Sequence, residues 1–320
     1  MTTTMPPTGA VPAEVTSDLE RISTALDSAI PRKTNDNLLI GTWNIRAFGN
    51  LTDKWDATPQ DSPKRDWHAV MCLAAVMDRF DVTAVQETRR DTTALSALLG
   101  RLGPQYHVIV SDVAEDSSGN GERLAYVYDS ERIRPSGLDG EIVIPTEAMN
   151  PVEQFARTPY AASFVRGNVE FILTTLHVRW GQKRADRIDE LSAFAQWMRG
   201  WADRLTDRNR NLLVLGDFNL DRLDDPRFSA FVWNGLWPPS ELDVIRRTIF
   251  DDDRDRHFYD QIAWFSDPTE PGAPSLLNGL TYSHRGGNFD FVPHVLNGIS
   301  RQQMGWRISD HYPLWVEFKI

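Results

Sequence analysis

A chain of 320 residues, 41% hydrophobic, 10% aromatic and 25% charged, can bury one large core or two ordinary ones and has the composition of a soluble globular protein. No run approaches the roughly 18–20 unbroken apolar residues of a membrane span, and the single cysteine, Cys72, excludes an intrachain disulfide. The net charge of −11 argues against a broad basic surface tracking along nucleic acid, yet carboxylates that hold divalent cations make a sequence acidic, so a phosphate substrate stays open.

Residues 1–36 are rich in Thr, Pro, Ser and Asp and lack the basic and apolar regions of a secretory signal. They are expected to form a mobile arm with one short helix near Glu14–Ile30, ahead of a single catalytic domain over 37–320. With one cysteine and no signal, a cytoplasmic protein is expected. Leu38–Asn44 and Val82–Glu87 read as buried strands, and between them Trp67, Val70, Leu73, Met77 and Phe80 mark an amphipathic helix. Cys72 sits in that helix as a buried small hydrophobe rather than a nucleophile.

Three strands follow, Arg123–Tyr128, Ala161–Val165 and Glu170–His177, the last two joined by a turn at Arg166-Gly-Asn. A helix over Ala185–Leu205, a short apolar strand at Leu212–Leu215, and strands at Phe258–Phe265 and His311–Ile320 complete the pattern. The Pro- and Gly-rich stretch Asp267–Leu280 reads as a surface loop. The acidic run starting at Asp251 reads as a solvated loop, because it lacks the ligand spacing of a calcium loop. Strands of antiparallel type grouped with a few helices suggest layers of sheet and helix.

Polar residues stand where the apolar runs stop. Asn44 follows Leu-Leu-Ile-Gly-Thr-Trp, Glu87 follows Thr-Ala-Val-Gln, His177 follows Ile-Leu-Thr-Thr-Leu, and Asp217 and Asn219 follow Leu-Leu-Val-Leu-Gly. Asp260, Asp310 and His311 sit beside later strands. Read singly, each has a plain alternative: an aspartate after a strand is usually a cap, and a lone histidine is usually structural. Together they form a set of hard oxygen ligands and imidazoles, which suits a magnesium-type ion and phosphoryl transfer.

The stretches Trp43-Asn44-Ile45-Arg46-Ala47-Phe48-Gly49, Val85-Gln86-Glu87-Thr88-Arg89, Gly121-Glu122-Arg123, Leu176-His177, Gly216-Asp217-Phe218-Asn219, Tyr259-Asp260, Phe289-Asp290-Phe291 and Ser309-Asp310-His311-Tyr312-Pro313 resemble the endonuclease/exonuclease/phosphatase superfamily, in its deoxyribonuclease-I-like branch. The likeness runs from about Leu38 to Ile320 in the family's order. It implies an α/β fold, a four-layer sandwich of two packed mixed sheets flanked by helices. It also implies a divalent ion, Mg²⁺ with Mn²⁺ or Ca²⁺ as alternatives, on Asn44, Glu87 and Asp310.

By the same resemblance, Asp217 and Asn219 bind the scissile phosphate or a second ion. His177 pairs with Glu122 and His311 with Asp260, one histidine acting as general acid and the other as base or phosphate ligand. Arg89 and Arg157 contact phosphate or the minor groove. A surface salt bridge suits each arginine equally well.

Two departures stand out. Ser118-Gly119-Asn120-Gly121 occupies the place of the branch's groove-contacting tyrosine, and the disulfides of the branch's secreted animal enzyme are absent, which implies an intracellular, bacterial relative; the loop Leu51–Asp66 is also longer than expected. The function expected is that of a monomeric deoxyribonuclease acting on DNA. The rivals are a phosphatase or phosphodiesterase for inositol phosphates, lipid head groups or nucleotides, and an inactive binding protein. Every polar residue of the set is present, which weighs against the last.

Overall fold

The computed structural model describes residues 4–114, 120–144, 155–178, 184–204, 211–222, 226–232, 234–252, 257–266 and 275–320. The first half of the chain supplies α1 (Ala13–Ala29), β1 (Asn37–Phe48), α2 (Trp67–Met77), β2 (Val82–Arg89), α3 (Thr93–Leu102), β3 (Tyr106–Val110) and β4 (Glu122–Asp129). There follow β5 (Arg134–Glu141), β6 (Tyr160–Arg166), β7 (Val169–His177), α4 (Arg184–Ala202), β8 (Leu212–Asp217), α5 (Pro226–Val232), β9 (Leu236–Trp237) and β10 (Asp260–Phe265). The chain closes with β11 (Thr281–Asn288), α6 (Arg301–Arg307) and β12 (Leu314–Lys319).

The apolar runs at Leu38–Ile40, Val82–Val85 and Leu212–Leu215 are buried on both faces, which is why they lack the alternation of a half-exposed strand. One six-stranded mixed sheet has the order β11-β12-β1-β2-β4-β3, the other β5-β6-β7-β8-β10-β9. Leu38, Ile40, Val82 and Ala84 of the first sheet meet Leu213, Leu215 and Ile262 of the second in the central core. The opposite face of the first sheet packs on α1, α2 and α3 through Trp43, Val70, Leu73 and Leu98. That of the second packs on α4 and α5 through Leu191, Phe194, Met198 and Phe231. The result is the expected four-layer sandwich.

In each sheet a central pair runs parallel, β1 with β2 and β7 with β8. Their outer neighbours β12, β4 and β10 run antiparallel to them. The turn between β6 and β7 occupies two residues, Gly167 in the left-handed region and Asn168, because Arg166 and Val169 already pair.

Two expectations are corrected. The segment read as a mobile arm contains a helix held to the body: Val15, Ile22 and Leu26 of α1 are buried. Buried Asp18 meets His68 Nε2 at 3.0 Å, accepts the Leu296 N–H at 2.6 Å, and pairs with Arg21. Beyond the helix, Lys33 Nζ reaches Asp129 at 2.8 Å and Arg166 Nη2 donates to Thr34 O at 2.9 Å. Local composition suggested mobility because these partners lie far away in sequence.

Asp251 is likewise buried rather than solvated, meeting His257 Nδ1 at 2.6 Å. The rest of that acidic run at 253–256, the loop residues 267–274, Leu205, Ser118 and Gly119 lie outside the described residues.

Replacing Asp18 with Ala leaves a buried ring nitrogen and an amide without their acceptor. The expected loss is on the order of 3 kcal/mol, read as a lower urea midpoint at unchanged slope. A midpoint equal to that of the parent would show that α1 docks without this contact.

Candidate active site

The parallel strands β1, β2, β7 and β8 end where the antiparallel β4, β10 and β12 begin, so one end of the sandwich collects the termini of both sheets. Asn44, Glu87, Glu122, His177, Asp217 and Asp260 lie on these strand ends, and Asp310 and His311 immediately precede β12. Pairing fixes their neighbours: His177 and Asp260 both register with Asp217, and Arg89 registers with Glu122.

The strand ends are bent to aim these groups. Register shifts interrupt β1 between Asn44 and Phe48 and β2 between Val85 and Thr88. Ala47, Glu87 and Asn219 take positive φ of 46°, 61° and 50°, a left-handed conformation that costs energy in non-glycine residues. Gly216, at φ 137°, has no alternative: a Cβ there would stand 2.1 Å from Leu176 O.

Two carboxylate–imidazole pairs face each other. His177 Nδ1 lies 2.9 Å from Glu122 Oε2, and His311 Nδ1 lies 2.6 Å from Asp260 Oδ2. With a carboxylate accepting at Nδ1, both rings turn Nε2 toward Asp217, whose Oδ2 is 3.6 Å from His177 Nε2 and 4.0 Å from His311 Nε2. Asn44 Nδ2 donates to the same oxygen at 2.9 Å, and the Asn219 N–H donates to Asp217 Oδ1 at 2.9 Å. Asn219 is anchored in turn by its side-chain amide on Val178 O.

Burial opposes charge on Glu122, but the His177 hydrogen bond and charge and the Arg157 charge outweigh it and bring the carboxyl to about 2. Burial also opposes the His177 imidazolium, yet Glu122 and Asp217 hold it above its ordinary value. Burial lifts Asp260 to about 6, and against burial the Asp260 charge and hydrogen bond carry His311 to about 10. Both rings are therefore biased toward imidazolium.

Asn44, Glu87 and Asp310 form the other side. Asn44 Oδ1 is buried without a hydrogen-bond partner, a hard oxygen left for a ligand. Glu87 Oε2 accepts the Ala47 N–H at 2.8 Å, and Asp310, raised chiefly by burial and also by the Glu87 charge, accepts Arg46 Nη1 at 3.0 Å. This donor set fits a magnesium-type ion. Asp217, Asp260 and His311 also bring ligand atoms within 4.8 Å of one another; Asp260 Oδ2 faces His311 Nδ1, while its Oδ1 is buried without a hydrogen-bond partner.

Both arginines singled out from the sequence are placed here, each against carboxylates. Arg157 Nε is 2.5 Å from Glu122 Oε2 and its Nη2 donates to Oε1 at 3.1 Å. Arg89 Nη1 donates to Asn120 O at 2.6 Å and lies 3.5 Å from Glu122 Oε1. Their charge is partly spent on orienting the Glu122–His177 pair.

Sequence reasoning passed over Ser309, Arg46 and Arg65. Ser309 Oγ donates to Asn44 O at 2.6 Å and accepts the His311 N–H at 3.1 Å, locking both sides of the site. Buried Arg65 donates to the carbonyls of Arg46, Ala47, Arg307 and Ile308. Arg46 and Ser309 lay inside the quoted motifs, but Arg65 had no local signal.

Residues 41–311 match the Endonuclease/Exonuclease/phosphatase family. A protein named deoxyribonuclease from Thioalkalivibrio sp. (strain K90mix) is 26% identical over 306 residues, covering 91% of this chain and 73% of that protein. Among solved structures, a mannosyl-6-phosphatase from Bacteroides thetaiotaomicron superposes with TM-score 0.56 at 17% identity, over 88% of this chain and 99% of that one. TDP2 of D. rerio, complexed with single-strand DNA product, gives 0.55 at 15% identity, over 89% and 99%. At these identities the structures share the fold.

The pair Glu122–His177 makes stability depend on pH in a defined window. Glu122 is held below 4.5, so its contribution is present above pH 4.5 and is lost as pH falls through about 2. His177 is held above 6.5, so its contribution is complete below pH 6.5 and is lost as pH rises through the raised value. The stability difference between the parent and Glu122→Gln, from urea unfolding, is expected to peak between pH 4.5 and 6.5 and shrink on either side. A difference flat in pH would mean that the pair is not ionised.

Proposed function

The chain belongs to the endonuclease/exonuclease/phosphatase family and is a phosphoric ester hydrolase, and from that premise we propose that it is a divalent-metal-dependent deoxyribonuclease cleaving P–O bonds of DNA by in-line attack of water. The observation that carries this reading is the pair of carboxylate-supported imidazoles turned on one carboxylate, Asp217, beside an orphaned hard ligand at Asn44.

A phosphodiester seated between His177 Nε2 and His311 Nε2 meets two N–H donors biased toward the charged form, which stabilise its oxygens as negative charge gathers on them. Asp217, held by Asn44 and Asn219, orients the water and takes its proton as the oxygen bonds to phosphorus. The leaving oxygen departs from the opposite side and receives a proton from an imidazolium. Glu122 and Asp260 keep the two rings in the tautomer that presents Nε2. Asn44, Glu87 and Asp310 would hold the divalent ion, whose chemistry is charge stabilisation on the phosphoryl group.

DNA is favoured as substrate by the likeness to the Thioalkalivibrio protein across most of the chain and by Arg89 and Arg157 at the edge of the site. The scaffold itself does not choose, since it also serves a mannosyl-6-phosphatase. Mg²⁺ is the proposed ion, with Mn²⁺ or Ca²⁺ as alternatives, and the protein is proposed to work as a monomer. No helix among the described residues is long and apolar enough to cross a membrane.

Supercoiled plasmid incubated with Mg²⁺ or Mn²⁺ is expected to be nicked, with EDTA abolishing the activity. His177→Ala is expected to lower the rate by at least about 100-fold. Release of phosphate from a sugar or inositol monoester, with duplex and single-stranded DNA both left intact, would instead select the phosphatase reading.

A further inference from the structure

The long loop at 51–66 is a built wall rather than a loose rim. Thr52 Oγ1 donates to Pro63 O at 2.7 Å, Lys54 Nζ reaches Asp61 at 2.7 Å, and the Ala57 N–H donates to Asp66 Oδ2 at 2.7 Å. Arg65 ties its end to the backbone beside Asn44 and to the end of α6. Arg307 binds Asp56 and Asp66 from the α6 side, at 2.8 and 2.5 Å.

Between this loop and α6 stands Trp306, 43% exposed. Two cavities meet at its indole. One, of about 320 Å³, is lined by Arg46, Pro63, Lys64 and Trp306; the other, of about 260 Å³, by Pro59, Lys64, Gln302, Gln303 and Trp306. Arg46 lies over the ring, its guanidinium carbon 3.8 Å from the ring centroid, and its Nη1 continues to Asp310 Oδ2 at 3.0 Å. Gly305 leaves room for this arrangement, since a Cβ there would already touch Arg46 Nη1 at 3.4 Å. The indole is thus one guanidinium away from the proposed ion ligand Asp310, a separation within the reach of one nucleotide.

We propose that Trp306 is the floor of a nucleobase subsite, in which one unstacked base next to the scissile phosphate lies on the indole between the loop and α6. The proposal rests on the deoxyribonuclease reading and deepens it, because it names single-stranded DNA as the preferred substrate. A base inside a duplex is covered on both faces and cannot enter such a cleft without unstacking. A single-stranded base can enter freely, and stacking on an aromatic ring accepts every base. The wall is held by its own hydrogen bonds, so little ordering remains to oppose binding.

The test uses the full chain, a labelled single-stranded oligonucleotide, the same oligonucleotide lacking single bases near the cut, and an oligomer made only of abasic units. Trp306→Ala is expected to raise KM for the intact strand roughly tenfold or more, and Trp306→Phe to restore most of it. Removing the base next to the cut should cost the parent enzyme as much, and cost Trp306→Ala nothing further, because both changes delete one contact. Turnover of the all-abasic oligomer should be the same for parent and variant.

An equal loss on the all-abasic oligomer would overturn the subsite and assign the effect to Arg46 and Asp310. Unchanged KM for the intact strand would overturn it too, leaving the deoxyribonuclease reading intact. Parent enzyme that cleaves no DNA while releasing phosphate from a monoester would overturn both.

Discussion

Two sheets packed face to face are the constraint from which the candidate site follows. The central core of Leu38, Ile40, Val82 and Ala84 against Leu213, Leu215 and Ile262 sets how the strand ends of one sheet meet those of the other. Across that junction Asn44 Nδ2 donates to Asp217 Oδ2 at 2.9 Å, joining the first sheet to the second. Beside it, Gln86 donates to Thr42 Oγ1 at 3.1 Å and to Thr175 Oγ1 at 2.8 Å, a buried polar link between the same sheets. Buried polar groups demand partners, so these contacts pin the sheets to one relative placement. A shift between the sheets would part Asn44 from Asp217 and break the Gln86 link together.

Two arginines near the site are buried, an unusual place for a guanidinium. Arg65 and Arg247 are buried and donate largely to backbone carbonyls, Arg247 reaching Asp260 O at 3.3 Å and Ile245 O at 2.6 Å. These guanidiniums gather turns around the carboxylates without neutralising each one directly. Segment 247–249 then runs antiparallel to 310–312, with Ile249 N–H on Asp310 O at 2.9 Å and Tyr312 N–H on Arg247 O at 2.7 Å. Asp310 and His311 are held from behind by this bracket. The backbone that presents their side chains is therefore fixed, as the proposed electrostatic role of the site would require.

Much of this was visible in the sequence because both faces of the central strands are buried. Their apolar runs stop abruptly, so Asn44, Glu87, His177 and Asp217 stand out as polar residues at the stops. The missing pieces lack such contrast. β5 reads Arg-Pro-Ser-Gly-Leu-Asp-Gly-Glu and is exposed along nearly its whole length, so pairing with β6 makes it a strand, not pattern. β11 carries two glycines and a register shift for the same reason. Asp18 and Asp251 looked like surface acids because their partners His68, Leu296 and His257 are identified only by the fold. Periodicity reports burial of apolar side chains, and it is silent on buried charge.

The same reasoning separates the parts of the site by how they are supported. Each imidazole is held by one carboxylate from the opposite sheet, His177 of β7 by Glu122 of β4 and His311 beside β12 by Asp260 of β10, so both depend on how the two sheets pack, which is set deep in the core. Arg46 and Trp306 depend instead on loop 51–66 and α6, which Arg65 and Arg307 clamp together from outside. The two supports converge on adjacent residues, Asp310 and His311. Core substitutions should therefore disturb the imidazoles and Asp217, whereas loop substitutions act first on Arg46 and Trp306. The groups proposed to react sit on the sheets and the rim on a clamped loop and helix, a division by which a rim change would alter substrate choice without dismantling the chemistry.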